Sequence, residues 1–198
     1  MDNGGDKMQL KQELVLDLAG VLVTNFSPLY WRYLSTTFNI SYSELTSFKK
    51  EIREQLWTGK IPEIEFWTKL KQNFPTIDQE EAKETLRSYI KPLPSLERIP
   101  FWSQHANIHI VSNHRIEWIN HIIAPIQHHL KSMTISSEIG FCKPQVDIYL
   151  EVQNYFHHNH HVLFVDDQEK NFDEARKLGW NTLLADVDGK WVRKVKLG

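Results

Sequence analysis

Four short apolar segments occur along the chain, and three of them end on polar side chains. They are ELVLDL at residues 13–18, NIHIVSN at 107–113, HVLFVDD at 161–167 and NTLLAD at 181–186. Each is too short and too continuously apolar for an amphipathic helix, and such runs are typical of strands that are covered on both faces. Helical patterns lie between the later segments. This alternation predicts a parallel sheet built from βα units.

The long stretch between the first and second of these segments contains only helix signals. Residue pairs that favour helix starts are Ser27 with Pro28, Ser41 with Glu44, and Asp78 with Glu81. About four helices are therefore inserted after the first strand. We predict an α/β protein with a Rossmann-like parallel sheet in residues 12–24 and 93–198, and a helical-bundle cap in residues 25–92.

The charge balance and the lone cysteine limit the partners and the location. The formal net charge is −2 and no basic stripe occurs, so no nucleic-acid partner is expected. Cys142 cannot form an intramolecular disulfide, and this fits a reducing compartment. No apolar run approaches the roughly 18 residues of a membrane span. We expect a cytoplasmic protein without a membrane partner, and the oligomeric state stays open.

Polar residues end three of the predicted strands, and ligands of open parallel α/β sheets bind beyond the carboxyl ends of the strands. These residues are Asp17, Ser112 with Asn113, and Asp166 with Asp167. Three carboxylates that converge on one small volume repel each other, and a bound cation offsets that repulsion. Oxygen ligands alone select a hard ion, so Mg²⁺ is the expected cofactor.

Four motifs follow each other along nearly the whole chain: LVLDLAGVLV at residues 14–23, IHIVSN at 108–113, GFCKPQVDIY at 140–149 and VLFVDDQEKNFDEA at 162–175. In this order they resemble the signature of the haloacid dehalogenase (HAD) superfamily, in the branch with a helical cap after the first strand. The cap segment LWTGKIPEIEFW at 56–67 is similar to caps of that branch. The resemblance implies a Mg²⁺-dependent, phosphatase-type hydrolase whose partner is a small phosphorylated molecule.

The resemblance also implies a metal site and a nucleophile. Asp17 matches the carboxylate that attacks phosphorus and forms an aspartyl-phosphate, which water then hydrolyses. The metal ligands would be Asp17, the backbone carbonyl of Ala19, and Asp167, with Asp166 binding directly or through water. A backbone ligand does not depend on the side chain, so an alanine at position 19 is compatible with metal binding.

Further motif residues are implied to bind the phosphoryl group. The Ser112 hydroxyl and the backbone amide of Asn113 would donate to phosphoryl oxygens. Lys143 would neutralise charge on the phosphoryl group and on Asp17, so that Asp17, Ser112 and Lys143 form the catalytic set. Asn171 is a candidate for orienting Asp167 or Lys143. His114 follows the second motif, and a structural role is the more common one for a lone histidine.

One residue departs from the family pattern. The usual sequence has a second aspartate at the position of Ala19, and that acid protonates the leaving alcohol and then activates the hydrolytic water. A methyl group can do neither, and the loss of general acid–base catalysis costs on the order of 10²–10⁴ in rate. The sequence therefore keeps the nucleophile and the metal ligands but lacks the proton shuttle.

Three interpretations of this departure stay open. The first is a phosphatase-type hydrolase that acts on good leaving groups such as acyl phosphates, or that takes an acid from the cap, where Glu63 and Glu65 are available. The second is cleavage of a different bond. The third is a non-catalytic module that binds a phosphorylated ligand or a protein. Dehalogenating relatives also lack the second aspartate, but they work without metal, and the paired Asp166 and Asp167 argue against that activity.

The second interpretation is a carbon–phosphorus bond hydrolase. Relatives that cleave phosphonoacetaldehyde carry an alanine at the position of Ala19, and they need a cap lysine that forms a Schiff base. Lys49, Lys50 and Lys60 are the candidates for that lysine.

Two other features of the sequence are not assigned to a functional site. The run FHHNHH at residues 156–161 is interpreted as a polar loop before a strand, because its spacing does not fit a structural zinc site. Cys142 adjoins Lys143, but no base is placed to activate it. We interpret this thiol as inert.

Overall fold

The computed structural model describes residues 11–156 and 161–197. Five parallel strands form one sheet in the order β3-β2-β1-β4-β5. The strands are β1 (Gln12–Leu16), β2 (Ala106–Ser112), β3 (Leu130–Ile135), β4 (Val162–Asp166) and β5 (Asn181–Leu184). The predicted α/β class with a parallel sheet is thereby confirmed. Residues 157–160 of the histidine-rich run lie outside the described residues.

Helices cover both faces of the sheet, which explains why the strand sequences are continuously apolar. Alternate residues of β1 enter different clusters: Leu14 and Leu16 pack in one, and Val15 packs in the other. The Val15 side of the sheet is covered by α8 (Val146–Gln153) and α9 (Phe172–Lys177). The opposite face is covered by α5 (Ile99–His105) and α6 (Ile116–Ile123), and α7 (Ser136–Ile139) follows β3.

Four helices fill the chain between β1 and α5, as the sequence predicts. They are α1 (Ser27–Thr37), α2 (Tyr42–Trp57), α3 (Glu63–Asn73) and α4 (Gln79–Tyr89). The Asp78 carboxylate caps α4 by accepting from the backbone amide of Glu81 at 3.0 Å. Ser41 with Glu44 does mark the start of α2, but the capping box that this pair favours does not form, because the Ser41 hydroxyl bonds the Ser43 hydroxyl at 2.7 Å.

The inserted helices are tightly joined to the sheet domain near the carboxyl end of α2. Apolar side chains of α1–α4 belong to the same buried cluster as those of β1 and β2. The buried guanidinium of Arg115, just before α6, donates to the backbone carbonyls of Leu56 at 3.1 Å and Ile61 at 2.8 Å. A Cβ atom at Gly59 would lie 2.0 Å from the carbonyl oxygen of Ser137. These contacts fix where α2 stands above the sheet.

The apolar pattern of the sequence does not reveal β3, because this strand mixes polar and apolar residues. Lys131 is exposed and Ser132 is buried on an edge strand that pairs with β2 alone. The Ser132 hydroxyl bonds His109 Nδ1 at 2.7 Å, and His109 Nε2 lies 2.8 Å from a carboxylate oxygen of Glu13. A buried polar network therefore joins β1, β2 and β3. Such contacts across strands cannot be inferred from an apolar pattern.

Within residues 11–156 and 161–197, no helix combines the length and the apolar character that crossing a membrane requires.

Candidate active site

The polar strand ends converge as the topology requires. Asp17 directly follows β1, Ser112 is the last residue of β2, and Asp166 is the last residue of β4. Because β1 lies between β2 and β4, these three strand ends are adjacent at one edge of the sheet. The structure thus brings the residues of three separate motifs into one site.

Asp17 lies at the centre of the site and is only 3% exposed. Its Oδ1 accepts a hydrogen bond from the Ser112 hydroxyl at 2.8 Å and lies 2.9 Å from the Lys143 ammonium nitrogen. Among the residues that the structure describes, no hydrogen bond or ion pair uses Oδ2. Burial raises the pKa of the Asp17 carboxyl to about 7, against the opposing charge of Lys143. One carboxylate oxygen is thus held by protein donors, and the other is left for a ligand.

The Lys143 ammonium group contacts both Asp17, the candidate nucleophile, and Asp166 of the fourth motif. Its nitrogen lies 2.9 Å from Asp17 Oδ1 and 2.6 Å from Asp166 Oδ2, and the side chain is almost fully buried. Burial acts to lower the pKa of this ammonium group, but the two carboxylates raise it above its ordinary value. The side chain therefore carries a positive charge at neutral pH, next to the Asp17 carboxylate.

The Asn113 side chain holds the backbone of Lys143. Its Nδ2 donates to the Lys143 carbonyl at 2.8 Å, and the Lys143 amide donates to its Oδ1 at 2.7 Å. The resemblance implied a role only for the backbone amide of Asn113. The side chain places the lysine loop against β2, a role that no local sequence signal indicates.

Asp166 is engaged by the protein on both carboxylate oxygens. Asn171 Nδ2 donates to both at 2.9 Å, and the backbone amide of Gln168 donates to Oδ1 at 2.8 Å. The Tyr149 hydroxyl in turn donates to the Asn171 carbonyl at 2.7 Å. The sequence suggested Asn171 as a partner of Asp167 or Lys143. In the structure its amide binds Asp166, and it reaches Lys143 only through that carboxylate.

Asp167 packs directly on the backbone of the first motif. A Cβ atom at Gly20 would lie 2.5 Å from Asp167 Oδ2, so only glycine permits this approach. Gly20 also has a φ of +80°, a conformation that other residues adopt with strain. The Gln168 side-chain amide donates to Asp167 Oδ1 at 3.2 Å. Gly20 and Gln168 are thus site residues that sequence reasoning did not single out.

The three acids form a set of donors that suits a cation. One carboxylate oxygen from each of Asp17, Asp166 and Asp167 lies within 4.8 Å of the others. The carbonyl of Ala19 accepts no hydrogen bond among the described residues, because the bridge between Ala19 and Val23 uses the flanking peptide groups. Burial raises the pKa of Asp167, as it does that of Asp17. Three acids with one ammonium group between them keep an excess of negative charge, and their oxygen-only donors fit a hard divalent ion such as Mg²⁺.

The cap acids considered as substitutes for the missing aspartate are engaged elsewhere. Glu63 accepts hydrogen bonds from the indole nitrogens of Trp67 at 2.9 Å and Trp118 at 2.8 Å. Glu65 pairs with Lys69 at 3.3 Å on the surface. Neither contact involves the site. Neither of these two acids therefore takes the place of a side chain at position 19.

The three cap lysines differ in their surroundings. Lys49 donates to the Ser27 hydroxyl at 2.8 Å, and Lys60 pairs with Glu54 at 2.9 Å on the surface. Lys50 lines a cavity that also contacts Lys143. Of the three, Lys50 alone lines this cavity in the described part of the chain.

His114 has a structural environment. Its ring lies in an aromatic cluster with Phe26, Trp57 and Trp118, and its Nδ1 accepts from the Arg115 amide at 3.0 Å. Burial lowers the pKa of the imidazole to about 4, so the ring is neutral at physiological pH.

Cys142 is half-buried, and burial raises the pKa of its thiol. A thiol with a raised pKa carries little thiolate at neutral pH, which fits the interpretation that it is inert.

Solved structures with the same fold carry HAD names. A HAD family enzyme from Bacteroides thetaiotaomicron, solved as its magnesium complex, has a TM-score of 0.78 at 18% identity, over 93% of this chain and 98% of that chain. The same enzyme, solved with magnesium and inorganic phosphate, has a TM-score of 0.69 at 17% identity, over 94% of this chain and 100% of that chain. A predicted HAD-like family hydrolase from Porphyromonas gingivalis has a TM-score of 0.76 at 19% identity, over 93% of this chain and 96% of that chain.

These likenesses define the class of fold. The chain has the HAD-like fold, as its four motifs predict. No protein-family model and no curated protein matches the sequence.

Proposed function

We propose that this protein is a Mg²⁺-dependent hydrolase of the HAD superfamily that removes the phosphoryl group from a small phosphorylated metabolite through an aspartyl-phosphate on Asp17. In this proposal residues 25–92 form the cap, and residues 12–24 with 93–198 form the core. The single observation that carries the proposal is the cluster of three carboxylates, of which the buried Asp17 and Asp166 both contact the Lys143 ammonium group. The magnesium and phosphate complexes of the Bacteroides thetaiotaomicron enzyme, which shares the fold, support it.

Asp17, Asp167 and the Ala19 carbonyl would hold the magnesium ion, with Asp166 beside them. When bound, the ion supplies positive charge that neutralises these acids and the phosphoryl oxygens. Asp166 contributes mainly by holding Lys143, because both of its oxygens already accept hydrogen bonds from the protein. Magnesium and Lys143 together would offset the charges of the acids and the incoming phosphate.

The chemistry on Asp17 needs two displacements at phosphorus. A carboxylate oxygen of Asp17 attacks phosphorus, the bond from phosphorus to the leaving oxygen breaks, and that oxygen departs with the electron pair. Ser112 and Lys143 lie within hydrogen-bond reach of Asp17, where they can bind phosphoryl oxygens. Water then attacks the aspartyl-phosphate, which releases inorganic phosphate and restores the carboxylate.

The alanine at position 19 limits the substrate. An alkoxide leaving group needs a proton as the bond breaks, and no acid stands at this position to give it. An acyl phosphate releases a carboxylate, which is stable without protonation. We therefore assign acyl phosphates, rather than alkyl phosphoesters, as the preferred class of substrate.

A comparison of leaving groups tests this proposal. The wild-type protein is assayed with Mg²⁺ on acetyl phosphate and on a set of alkyl phosphoesters, with release of inorganic phosphate as the measurement. We expect kcat/KM for acetyl phosphate to exceed that for the esters by on the order of 10²-fold or more, after subtraction of the uncatalysed rates. Binding of phosphate without turnover of any of these compounds would instead favour the non-catalytic module.

The affinity for magnesium should depend on pH because protons and the metal compete for Asp17. The pKa of the Asp17 carboxyl is raised to about 7 by burial, so below that pH the metal must displace a proton. We expect the dissociation constant for Mg²⁺ to increase about tenfold for each pH unit below 7 and to level off above it. Isothermal titration calorimetry between about pH 5.5 and 8.5 measures this, and a constant affinity across the range would contradict it.

Gly20 should be essential for the position of Asp167. In Gly20→Ala the new methyl group would collide with the Asp167 carboxylate, so we expect at least about a tenfold loss of Mg²⁺ affinity. Gly179→Ala is the matched control, because Gly179 has a similar φ of +82° but no atom within 4 Å of the place that a Cβ atom would take. Equal magnesium affinity in the two variants would show that Gly20 does not position the ligand.

Cleavage of a carbon–phosphorus bond is the second candidate, and the position of Lys50 in the cavity that also contacts Lys143 favours it. Its amine would form a Schiff base with an aldehyde substrate such as phosphonoacetaldehyde. Borohydride reduction in the presence of this compound, followed by mass spectrometry, tests that reaction. A substrate adduct on Lys50 would support the second candidate, and an unmodified Lys50 would remove it.

A further inference from the structure

A cavity of about 330 Å³ adjoins the site on its Lys143 side. Its floor includes Asn113 and Lys143, and its cap side is formed by α2. The volume is at the lower end of the range of small-molecule sites. Because the Lys143 ammonium group lies 2.9 Å from Asp17 Oδ1, a ligand that extends from Asp17 past Lys143 would enter this cavity.

Three basic side chains line the cavity without an acidic partner. They are Lys50 and Arg53 on α2 and Lys170 in the turn after β4. Within residues 11–156 and 161–197, none of the three makes a side-chain hydrogen bond or an ion pair. The cations stand on both the cap side and the core side of the opening.

The acid that could neutralise α2 is paired with another residue. Lys50 and Glu54 have the i, i+4 spacing that favours an ion pair on a helix. Glu54 instead lies 2.9 Å from Lys60. Lys50 and Arg53, three residues apart on one helix face, therefore keep two like charges side by side, which costs helix stability. Glu54 also lines the cavity, but its carboxylate pairs with Lys60, so Lys50, Arg53 and Lys170 leave the cavity with an excess of positive charge that suits an anion.

We infer that the substrate carries a second anionic group, a carboxylate or a phosphate, which Arg53, Lys170 and Lys50 bind while its transferable phosphoryl group occupies the site at Asp17. This inference rests on the proposed function and narrows its substrate class to small molecules with two anionic ends. The half-buried Trp57 indole forms an apolar wall of the same cavity, against which a short carbon chain can pack. The cations therefore act as specificity determinants, and they take no part in the displacement at phosphorus.

Three phosphonates of equal chain length test the inference without turnover. They are propylphosphonate, 3-phosphonopropionate and propane-1,3-diphosphonate, and each is titrated calorimetrically into the wild-type protein with saturating Mg²⁺. We expect at least one of the two doubly anionic compounds to bind about 10-fold or more tightly than propylphosphonate, as charge-assisted contacts provide. The tighter of the two distinguishes a carboxylate from a phosphate as the second group.

Substitutions of the cavity residues test where the second anionic group binds. Arg53→Gln and Lys170→Gln should each reduce the preference for the doubly anionic compound by at least about fivefold. Arg87→Gln, which removes an exposed cap arginine outside the cavity lining, should keep it. A preference that survives both cavity variants would overturn the assignment of these residues.

A titration of inorganic phosphate with Mg²⁺ distinguishes failure of this inference from failure of the proposed function. If phosphate binds but the three phosphonates bind equally well, the second anionic group is wrong and the proposed function stands. If neither phosphate nor any phosphonate binds, the proposed function fails and the inference fails with it.

Discussion

Asp17→Asn is expected to reduce the hydrolysis of acetyl phosphate to the uncatalysed rate, a loss on the order of 10⁴- to 10⁶-fold. The amide keeps the shape of the side chain and can still contact Ser112, but it is a much weaker nucleophile. The substitution also removes one of the two carboxylates next to Lys143 and leaves Asp166 as its partner. The fold should survive, and an unchanged thermal unfolding temperature checks this.

Asp147→Asn is the matched control, because Asp147 is an exposed acid of α8 outside the site. It should retain the wild-type rate. Rapid acid quench during turnover, followed by mass spectrometry, should also find one phosphoryl group on the peptide that contains Asp17. Residual hydrolysis by Asp17→Asn at a rate near that of the wild type would exclude Asp17 as the nucleophile.

Ala19→Asp is expected to increase the hydrolysis of alkyl phosphoesters by on the order of 10²–10⁴-fold. The new carboxyl group would stand two residues after the nucleophile, where HAD phosphatases keep their general acid. It would protonate the leaving alcohol and then activate water. In kcat/KM, which reports on the first displacement, acetyl phosphate should gain much less, because its leaving group needs no proton.

Ala19→Asn is the matched control for this substitution. It has the same size as the aspartate but no proton to exchange, so it should leave ester hydrolysis at the wild-type level. The two variants are compared by kcat on the same esters with Mg²⁺. If both variants gained activity equally, the effect would be one of shape, and the missing acid would not explain the substrate preference.

The fold was predictable wherever burial is uniform. β1, β2 and β4 are covered on both faces, so their sequences are continuously apolar and easily recognised. β3 was not predicted, because an edge strand can expose Lys131 and bury Ser132 in a polar network. The order of the strands could be inferred only through the resemblance. The spacing of apolar residues carries no information about which strands are neighbours.

The sequence predicted which residues form the candidate site, but it did not predict the contacts that hold them in place. Polar strand ends placed Asp17 and Ser112 together, because parallel strands share one carboxyl edge. The bonds of the Asn113 side chain to Lys143, and the contact of Gly20 with Asp167, join residues far apart in the chain. Such contacts depend on how loops fold over the sheet. A single sequence does not encode them in any local pattern.

The contact between the inserted helices and the sheet could also not be predicted from the sequence. Arg115 looks like an ordinary charged residue before a helix, yet its guanidinium is buried and binds two carbonyls of the cap. Its partner charge is Glu117, at 2.6 Å. The contact with the two carbonyls holds the carboxyl end of α2, the helix that carries Arg53 and Trp57, against the residue that precedes α6.

A crystal structure of the protein with Mg²⁺ and fluoroberyllate, a mimic of a phosphorylated aspartate, tests the central claim most directly. We predict beryllium bound to a carboxylate oxygen of Asp17, within reach of Ser112 and Lys143. We also predict the magnesium ion between Asp17, Asp167 and the carbonyl of Ala19. Fluoroberyllate on another residue would contradict the first prediction, and a metal ion that does not contact Asp17 and Asp167 would contradict the second.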